Sequence, residues 1–397
     1  MDSKLKFQKF EELGSKALEI LRQKSFLPND SKKLRFWNLT EVSELTHKTT
    51  QTIRENERKG ILKKPETNKG LGKRYYALED INKIRSHFKN LPRKPNNVQP
   101  IIIAFANLKG GVAKTTSAVH ASHYFALNGY RTLLIDVDSQ GSATSAFGYA
   151  PDEHIKKEQT LYKFFTGAAN SIRDSIIKTH WDGLDLIPAN LTLYGVELEL
   201  PALRERSLIQ NGYDFKIYNI LSNGLQEVYQ DYDIVIIDCP PSMSILNTNA
   251  LYAANGLIIP CPPELPDIAS MIQFFGMIKS TLNFLPEKEF DFIRVLITKH
   301  DGSKSSEAIS DILRQLYGNH IMRAEMLNTH VIKRARTETN SIYELSSYKG
   351  SRQTLSRAKI IVDQVNKEIE HHVQEIWQTW LSVTSQQNEL ETTRQNI

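Results

Sequence analysis

Lys109-Gly110-Gly111-Val112-Ala113-Lys114-Thr115-Thr116 follows directly on the apolar run Ile101 to Ala106 and opens a stretch of helical character. Glycines let backbone N–H groups converge on phosphate oxygens, a lysine reaches β- and γ-phosphates, and a threonine hydroxyl at a helix N-terminus can ligate Mg2+. Lys114 and Thr115 are the side chains for those two tasks. The strict pattern of two glycines around four residues before Lys-Ser/Thr is not met: Leu108 stands in place of the first glycine, Ala113 in place of the second, and an added lysine, Lys109, opens the loop. Carboxylates complete the set. RTLLIDVD delivers Asp136 and Asp138, and YDIVIIDCP delivers Asp238, each at the carboxyl end of an apolar run. Open α/β sheets place their ligand crevice there, and a carboxylate there can hold hydrated Mg2+. The loop and the three carboxylates together specify a nucleoside-triphosphate hydrolase.

The elements that must carry these residues are legible as short, β-branched apolar runs. IIIAFA, RTLLIDVD, GLDLIPA, YDIVIIDCP, ANGLIIPC and FIRVLITKH alternate with helical segments from residue 100 onward. Such continuous runs fit strands buried on both faces of a parallel sheet, so the fold class is α/β, a doubly wound, mostly parallel sheet. The C-terminal region reads as a long helix from Thr354 to about Trp380, followed by a polar, unstructured tail. With 397 residues, 40% hydrophobic and 24% charged, the chain has material for two or three ordinary domains and is neither disordered nor fibrous. No run approaches the roughly 20 apolar residues of a membrane span, and residues 1–10 lack a signal-peptide apolar region; a cytoplasmic protein is expected. Two cysteines, Cys239 and Cys261, make neither a disulfide framework nor a zinc spacing, and ordinary burial is expected for both.

Charge is unevenly placed. Residues 1–97 carry a net +11 and the remainder a net −6, against +5 overall, which points to a basic module that meets an anion, most plausibly nucleic acid. Residues 5–25 have helical spacing with an apolar stripe, Phe10, Leu13, Ala17, Ile20 and Leu21, that needs a partner in its own domain or in a second copy. Two short helices, Thr40 to Leu45 and Thr49 to Arg58, follow, with Thr40 and Thr49 or Thr50 as N-caps and Gly60 as stop. Two brief extended pieces around a Gly- and Lys-rich turn, a helix opening near Leu78 and a Pro-rich linker complete an α-helical winged helix-turn-helix. The expected division is residues 1–30 as an N-terminal helix, 31–97 as the DNA-binding domain, 98–384 as the ATPase and 385–397 as the tail.

KGGVAKT with its leading lysine, IDVDSQGSAT and VIIDCPPS resemble the deviant Walker A, Walker A′ and Walker B motifs of the ParA/MinD group of P-loop ATPases, over about residues 100–365. The helix-turn-helix ahead of them resembles the large plasmid-partition ParA proteins. The resemblance implies that Lys109 crosses a homodimer interface to phosphates on the partner subunit and that Lys114 binds β/γ-phosphates within its own subunit. Gly110, Gly111, Val112, Ala113, Thr115 and Thr116 would form the cradle, and Pro262 and Pro263 in CPPELPDIASM would lie beside the base. Thr115, Asp136 and Asp238 would hold Mg2+, and Asp138 would position the attacking water. It also implies two DNA contacts. In a MerR-like reader, Thr49, Thr50, Gln51 and Arg54 would face bases, while Lys63, Lys64, Lys69, Lys73 and Arg74 would hold phosphates. A second cluster, Lys333, Arg334, Arg336, Lys349, Arg352 and Arg357, would grip DNA without regard to sequence.

The function so implied is a slow, partner-stimulated ATPase that dimerises around ATP and Mg2+, binds nucleoid DNA, answers to a ParB-type centromere-binding protein and represses its own operon. Two alternatives stay open: an ATP-liganded repressor without a motor role, and a MinD-like positioning ATPase. The latter would need a basic amphipathic helix for a membrane. The segment NKEIEHHVQEIWQTWLSV instead carries Glu368, Glu370 and Glu375 beside the stripe Ile369, Val373, Ile376, Trp377 and Trp380, which suits packing better.

Overall fold

The computed structural model describes residues 3–25, 32–67, 74–212, 214–285, 288–346 and 351–395. Eleven strands among them form two sheets: β1 Trp37–Asn38, β2 Glu66–Thr67, β3 Arg74–Tyr76, β4 Ile101–Phe105, β5 Thr132–Asp136, β6 Ile177–Lys178, β7 Leu184–Ile187, β8 Ile234–Asp238, β9 Gly256–Cys261, β10 Phe292–His300 and β11 Met326–Leu327. The first three make a small antiparallel sheet in the order β1-β3-β2. The other eight are ordered β11-β10-β9-β4-β8-β5-β7-β6, parallel throughout except for the antiparallel edge strand β6. Each of the six long apolar runs is a strand of this sheet. The two-residue strands β6 and β11 carry too little pattern to be read in advance.

Both faces of the large sheet are covered. Along β4, Ile101, Ile103 and Phe105 enter one apolar cluster while Ile102 and Ala104 enter another, as alternation on a doubly covered strand requires. The first cluster also contains the helix Lys114–Leu127, the C-terminal helix and the core of the N-terminal module: Trp37, Val42, Ile53, Tyr76 and Ile81 are continuous with it. The linker reinforces the join, for Lys94 N donates to Asp233 Oδ1 at 3.1 Å and Arg93 donates to Gly129 O at 2.5 Å. The N-terminal module therefore shares a core with the large sheet and is not a bead on a string.

Ile369, Val373, Ile376 and Trp377 are buried, so the stripe on the C-terminal helix packs as expected. That helix runs Arg352–Gln395; the polar tail expected to be irregular continues as helix to Gln395. At the other end, the helix Ser3–Ser25 leaves Phe10, Leu13 and Ile20 exposed, so the single chain does not cover them. Among the described residues no helix is long and apolar enough to cross a membrane. Cys239 and Cys261 are free and buried, as expected.

Candidate functional site

The phosphate loop links β4 to the helix Lys114–Leu127 at the carboxyl end of the sheet. Gly111 has φ +78°, a conformation open to glycine without penalty. Ala113 adopts φ +76° as the residue before the helix, so the substitution of alanine for the usual glycine leaves the left-handed turn in place despite its Cβ. Neighbouring strands brace the loop. Asn107 donates to Pro260 O on β9 at 2.8 Å and accepts from Lys109 N at 3.2 Å. Thr298 of β10 donates its hydroxyl to Val112 O at 2.9 Å. Neither brace carries a sequence signal, because each depends on which strands become neighbours.

Lys114 is buried, and its Nζ donates to Lys109 O at 2.9 Å, across the concavity of the loop. Burial holds its pKa below the ordinary lysine value, and the nearby Asp238 carboxylate opposes that shift. Lys109 points elsewhere. Its Nζ lies 2.6 Å from Asp267 Oδ2, a buried carboxylate in the first turn of the helix Leu265–Leu282. In the single chain the loop's first lysine is thus held by its own subunit.

Asp136 and Asp238 are cross-strand partners on β5 and β8, both fully buried. Asp136 is satisfied: its Oδ2 accepts from the backbone N–H and the hydroxyl of Thr144 at 2.8 Å each, and its Oδ1 from Asp138 N at 3.2 Å. Neither oxygen of Asp238 has a hydrogen-bond partner; the Thr115 hydroxyl approaches and lowers its pKa somewhat without a bond of good geometry. Desolvation, and after it the charge of the neighbouring carboxylate, raises the pKa of Asp238 well above the ordinary range; burial likewise raises that of Asp136. An unpartnered, buried carboxylate beside a lysine and a threonine of a phosphate loop fits a hydrated divalent cation, which would supply the missing positive charge. No group of three or more His, Cys, Asp or Glu among the described residues could hold a metal unaided. The donor set is therefore one that needs phosphate oxygens and water to be complete. Asp138 lies at the rim, partly exposed, with Oδ1 accepting from Gln140 N at 3.0 Å.

A cavity of about 200 Å³ opens beside the loop, lined among others by Thr115, Thr116, His120, Ser142, Arg336 and Thr339. Pro262 and Pro263 are buried in the turn after β9, on the Lys109–Asp267 side of the loop and outside this lining.

In the N-terminal module the helices are Leu39–Thr46 and Thr50–Arg58. The first is capped by Asn38, whose Oδ1 accepts from Thr40 N and Glu41 N at 2.9 and 3.1 Å, so Thr40 is not the cap. Thr49 caps the second, accepting from Thr52 N at 3.1 Å, and is occupied in doing so. Gln51 and Arg54 are exposed, and Arg58, one further turn along the same face, is exposed too and was missed in the sequence. Gln51 donates to Glu55 at 3.0 Å, and Thr50 is partly exposed. Lys63 and Lys64 are exposed. Arg74 is not a free cation: it pairs with the buried Glu57, whose other oxygen accepts from Tyr76 OH at 2.7 Å. Lys69 and Lys73 lie outside the described residues.

Of the second basic cluster, Lys333, Arg334 and Arg336 share the helix His330–Thr337, where Arg334 pairs with Glu338 at 2.9 Å. Arg336 faces the cavity beside the phosphate loop as well as solvent. Arg357 is exposed on the C-terminal helix; Lys349 and the Arg352 side chain lie outside the described residues.

Residues 101–286 match the family model of an AAA domain, and residues 38–87 that of MerR HTH family regulatory proteins. A putative replication protein A of Sinorhizobium fredii is 30% identical over 382 residues, covering 92% of this chain and 93% of its own. Protein SopA of Escherichia coli K12 is 32% identical over 340 residues, with 83% and 86% covered. Among solved structures, cobyrinic acid a,c-diamide synthase from Mycobacterium smegmatis with bound ATP analogue and magnesium is 25% identical, with a TM-score of 0.53 over 69% of this chain and 95% of the other.

Proposed function

The chain belongs to the ParA family of partition ATPases, in the longer SopA-like form with a MerR-type helix-turn-helix, and from that premise we propose a DNA-partition motor that also represses its own operon. The observation that carries the ATPase reading is Asp238: a buried carboxylate without a hydrogen-bond partner, one strand from Asp136 and beside Lys114 and Thr115. Thr115, Asp136 and Asp238 would hold Mg2+, which when bound neutralises charge on the β- and γ-phosphates. Lys114 would move from Lys109 O to the phosphates, Asp138 at the rim would orient the attacking water, and the backbone N–H groups of residues 110–116 would cradle the triphosphate.

Lys109 supplies the regulatory part of the reading. A cation donated across a homodimer interface stabilises charge in the transition state as an arginine finger does, and hydrolysis is then slow until two subunits meet. Its contact with Asp267 supports a resting state in which that cation is withheld. The ATP-bound dimer would grip nucleoid DNA through Lys333, Arg336, Arg357 and their neighbours in sequence, while the exposed face Gln51, Arg54 and Arg58 would read an operator. A ParB-type protein would accelerate hydrolysis and release the DNA.

The test is an ATPase assay of the full chain with and without DNA and the protein encoded next to it. Stimulation by both supports the motor; ATP binding without stimulated turnover supports a repressor that uses ATP as a ligand. Lys114→Ala should abolish ATP binding, and Lys109→Ala should leave binding while removing stimulated turnover. A Lys109→Ala protein that responds to DNA and partner at the normal rate would overturn the shared-site mechanism.

A further inference from the structure

The segment that leads into the DNA reader is tied to the walls of the cavity beside the phosphate loop by one buried lysine. Lys32 is 9% exposed, and its Nζ donates to Ala146 O at 2.7 Å and Thr339 O at 2.5 Å, with Glu344 Oε1 at 3.1 Å. Ala146 and Thr339 both line the cavity that Thr115 and Thr116 open onto. On the reader's side, Arg35 donates to Tyr343 O at 3.1 Å, Trp37 opens β1, and Asn38 caps the first helix of the helix-turn-helix. Only five residues thus separate Lys32, held on the cavity wall, from the helix cap Asn38.

The turn that Lys32 grips is strained. Thr339 has φ +53°, the left-handed region that a β-branched side chain tolerates poorly. A backbone held in such a conformation has a second, relaxed one available once its holder lets go. Glu344 does not depend on Lys32 alone, since it also accepts from Ser341 N at 2.6 Å and lies 2.7 Å from His180 Nε2. Movement of the lysine therefore leaves the carboxylate partnered.

We propose that Lys32 is a strut through which a nucleotide at the phosphate loop sets the posture of the DNA-reading module. The inference rests on the nucleotide reading above and adds the residue that transmits it. A nucleotide seated against Thr115 and Thr116 meets Arg336, Thr337 and Asn340 on the opposite wall, so it acts on the turn that contains Thr339. Relaxation of that turn withdraws one of the three oxygens that fix Lys32, and the segment 32–38 shifts with it. Coupling of this kind is reciprocal, so DNA that changes the reader's posture changes nucleotide affinity by the same factor.

The experiment is hydrogen exchange of residues 32–58 in the full-length chain, with and without saturating AMPPNP and Mg2+, alongside binding of a fluorescent ATP analogue. In the wild type, nucleotide should change exchange in this segment by about fivefold or more, the lower end of ordinary allosteric factors. Lys32→Met should bind the analogue and lose the response. Thr339→Gly, which removes the steric penalty and keeps the lysine, should lose the response also, and it decides the matter if Lys32→Met fails to fold. Nucleotide binding by the wild type with unchanged exchange at 32–58, or a wild-type response in a folded variant, would overturn the strut alone. No nucleotide binding by the wild type would overturn the ATPase reading together with it.

Discussion

At the scale of one residue, the role proposed for Asp238 sets function against stability. Its carboxylate is buried without a hydrogen-bond partner next to Asp136, an arrangement that is unfavourable until positive charge arrives. Asp238→Asn should therefore stabilise the nucleotide-free protein by about 1 kcal/mol, read as a rise of about 2–4 °C in Tm, while Mg2+-dependent turnover falls. A variant with unchanged Tm and normal turnover would remove the residue from the metal site. The loop and its carboxylates were legible from sequence because each is a local signal, a few residues at the end of an apolar run. The hold on Lys109 was not, for Asp267 stands 158 residues away and carries no motif of its own.

In the recognition helix and the wing, the distinction that matters is between arginines that face out and one that is used inside. Arg54 is exposed, whereas Arg74 compensates the buried Glu57. Arg54→Ala should weaken binding to the DNA upstream of the gene by about 1–3 kcal/mol with Tm unchanged. Arg74→Ala should lower stability by about 2 kcal/mol, seen as a fall in Tm, because it leaves a buried charge short of its cation. The reverse pattern would reassign both residues. Sequence reading placed both helices of the reader within a residue or two, since caps are local chemistry. Thr40 is displaced as the cap because Asn38, two residues earlier, makes the better one, and the pairing of Arg74 with Glu57 leaves no trace in the sequence because it forms only once the two elements meet.

Across the whole molecule the N-terminal module and the ATPase are joined by Lys32–Glu344, by the linker and by a continuous apolar cluster. Glu344 is buried, and although burial alone would raise its pKa, the charges of Lys32 and its histidine neighbours hold it well below the usual 4.5. A carboxylate with a lowered pKa stabilises the fold above its unfolded value and loses that contribution as pH falls below it. Lys32 is lowered too, by burial, so the cost of the pair falls on the lysine. Acid titration of the full chain should show a loss of stability beginning below about pH 4.5, and Glu344→Gln should flatten it; an identical acid profile in that variant would refute the assignment. Removing residues 1–97 should do more than silence operator reading, since it uncovers the apolar face of the ATPase. The truncated protein should show a lower Tm and a tendency to associate. The α/β class and the mostly parallel sheet were predictable from buried runs; the order of the strands and the fused core were not, because strand neighbours are set by folding and a Pro-rich segment reads as a flexible linker whatever it finally packs against.

That fusion limits how such a chain can change its genomic address. A foreign module grafted at residue 97 would lack the Lys32 and Arg35 that grip Ala146, Thr339, Glu344 and Tyr343, would not match the apolar cluster, and would leave that face of the large domain bare. On the proposed reading, retargeting would be confined to outward-facing positions such as Gln51, Arg54 and Arg58, which are exposed and carry none of the core. New specificity would then be reached by rewriting a few letters on the surface rather than by trading whole domains.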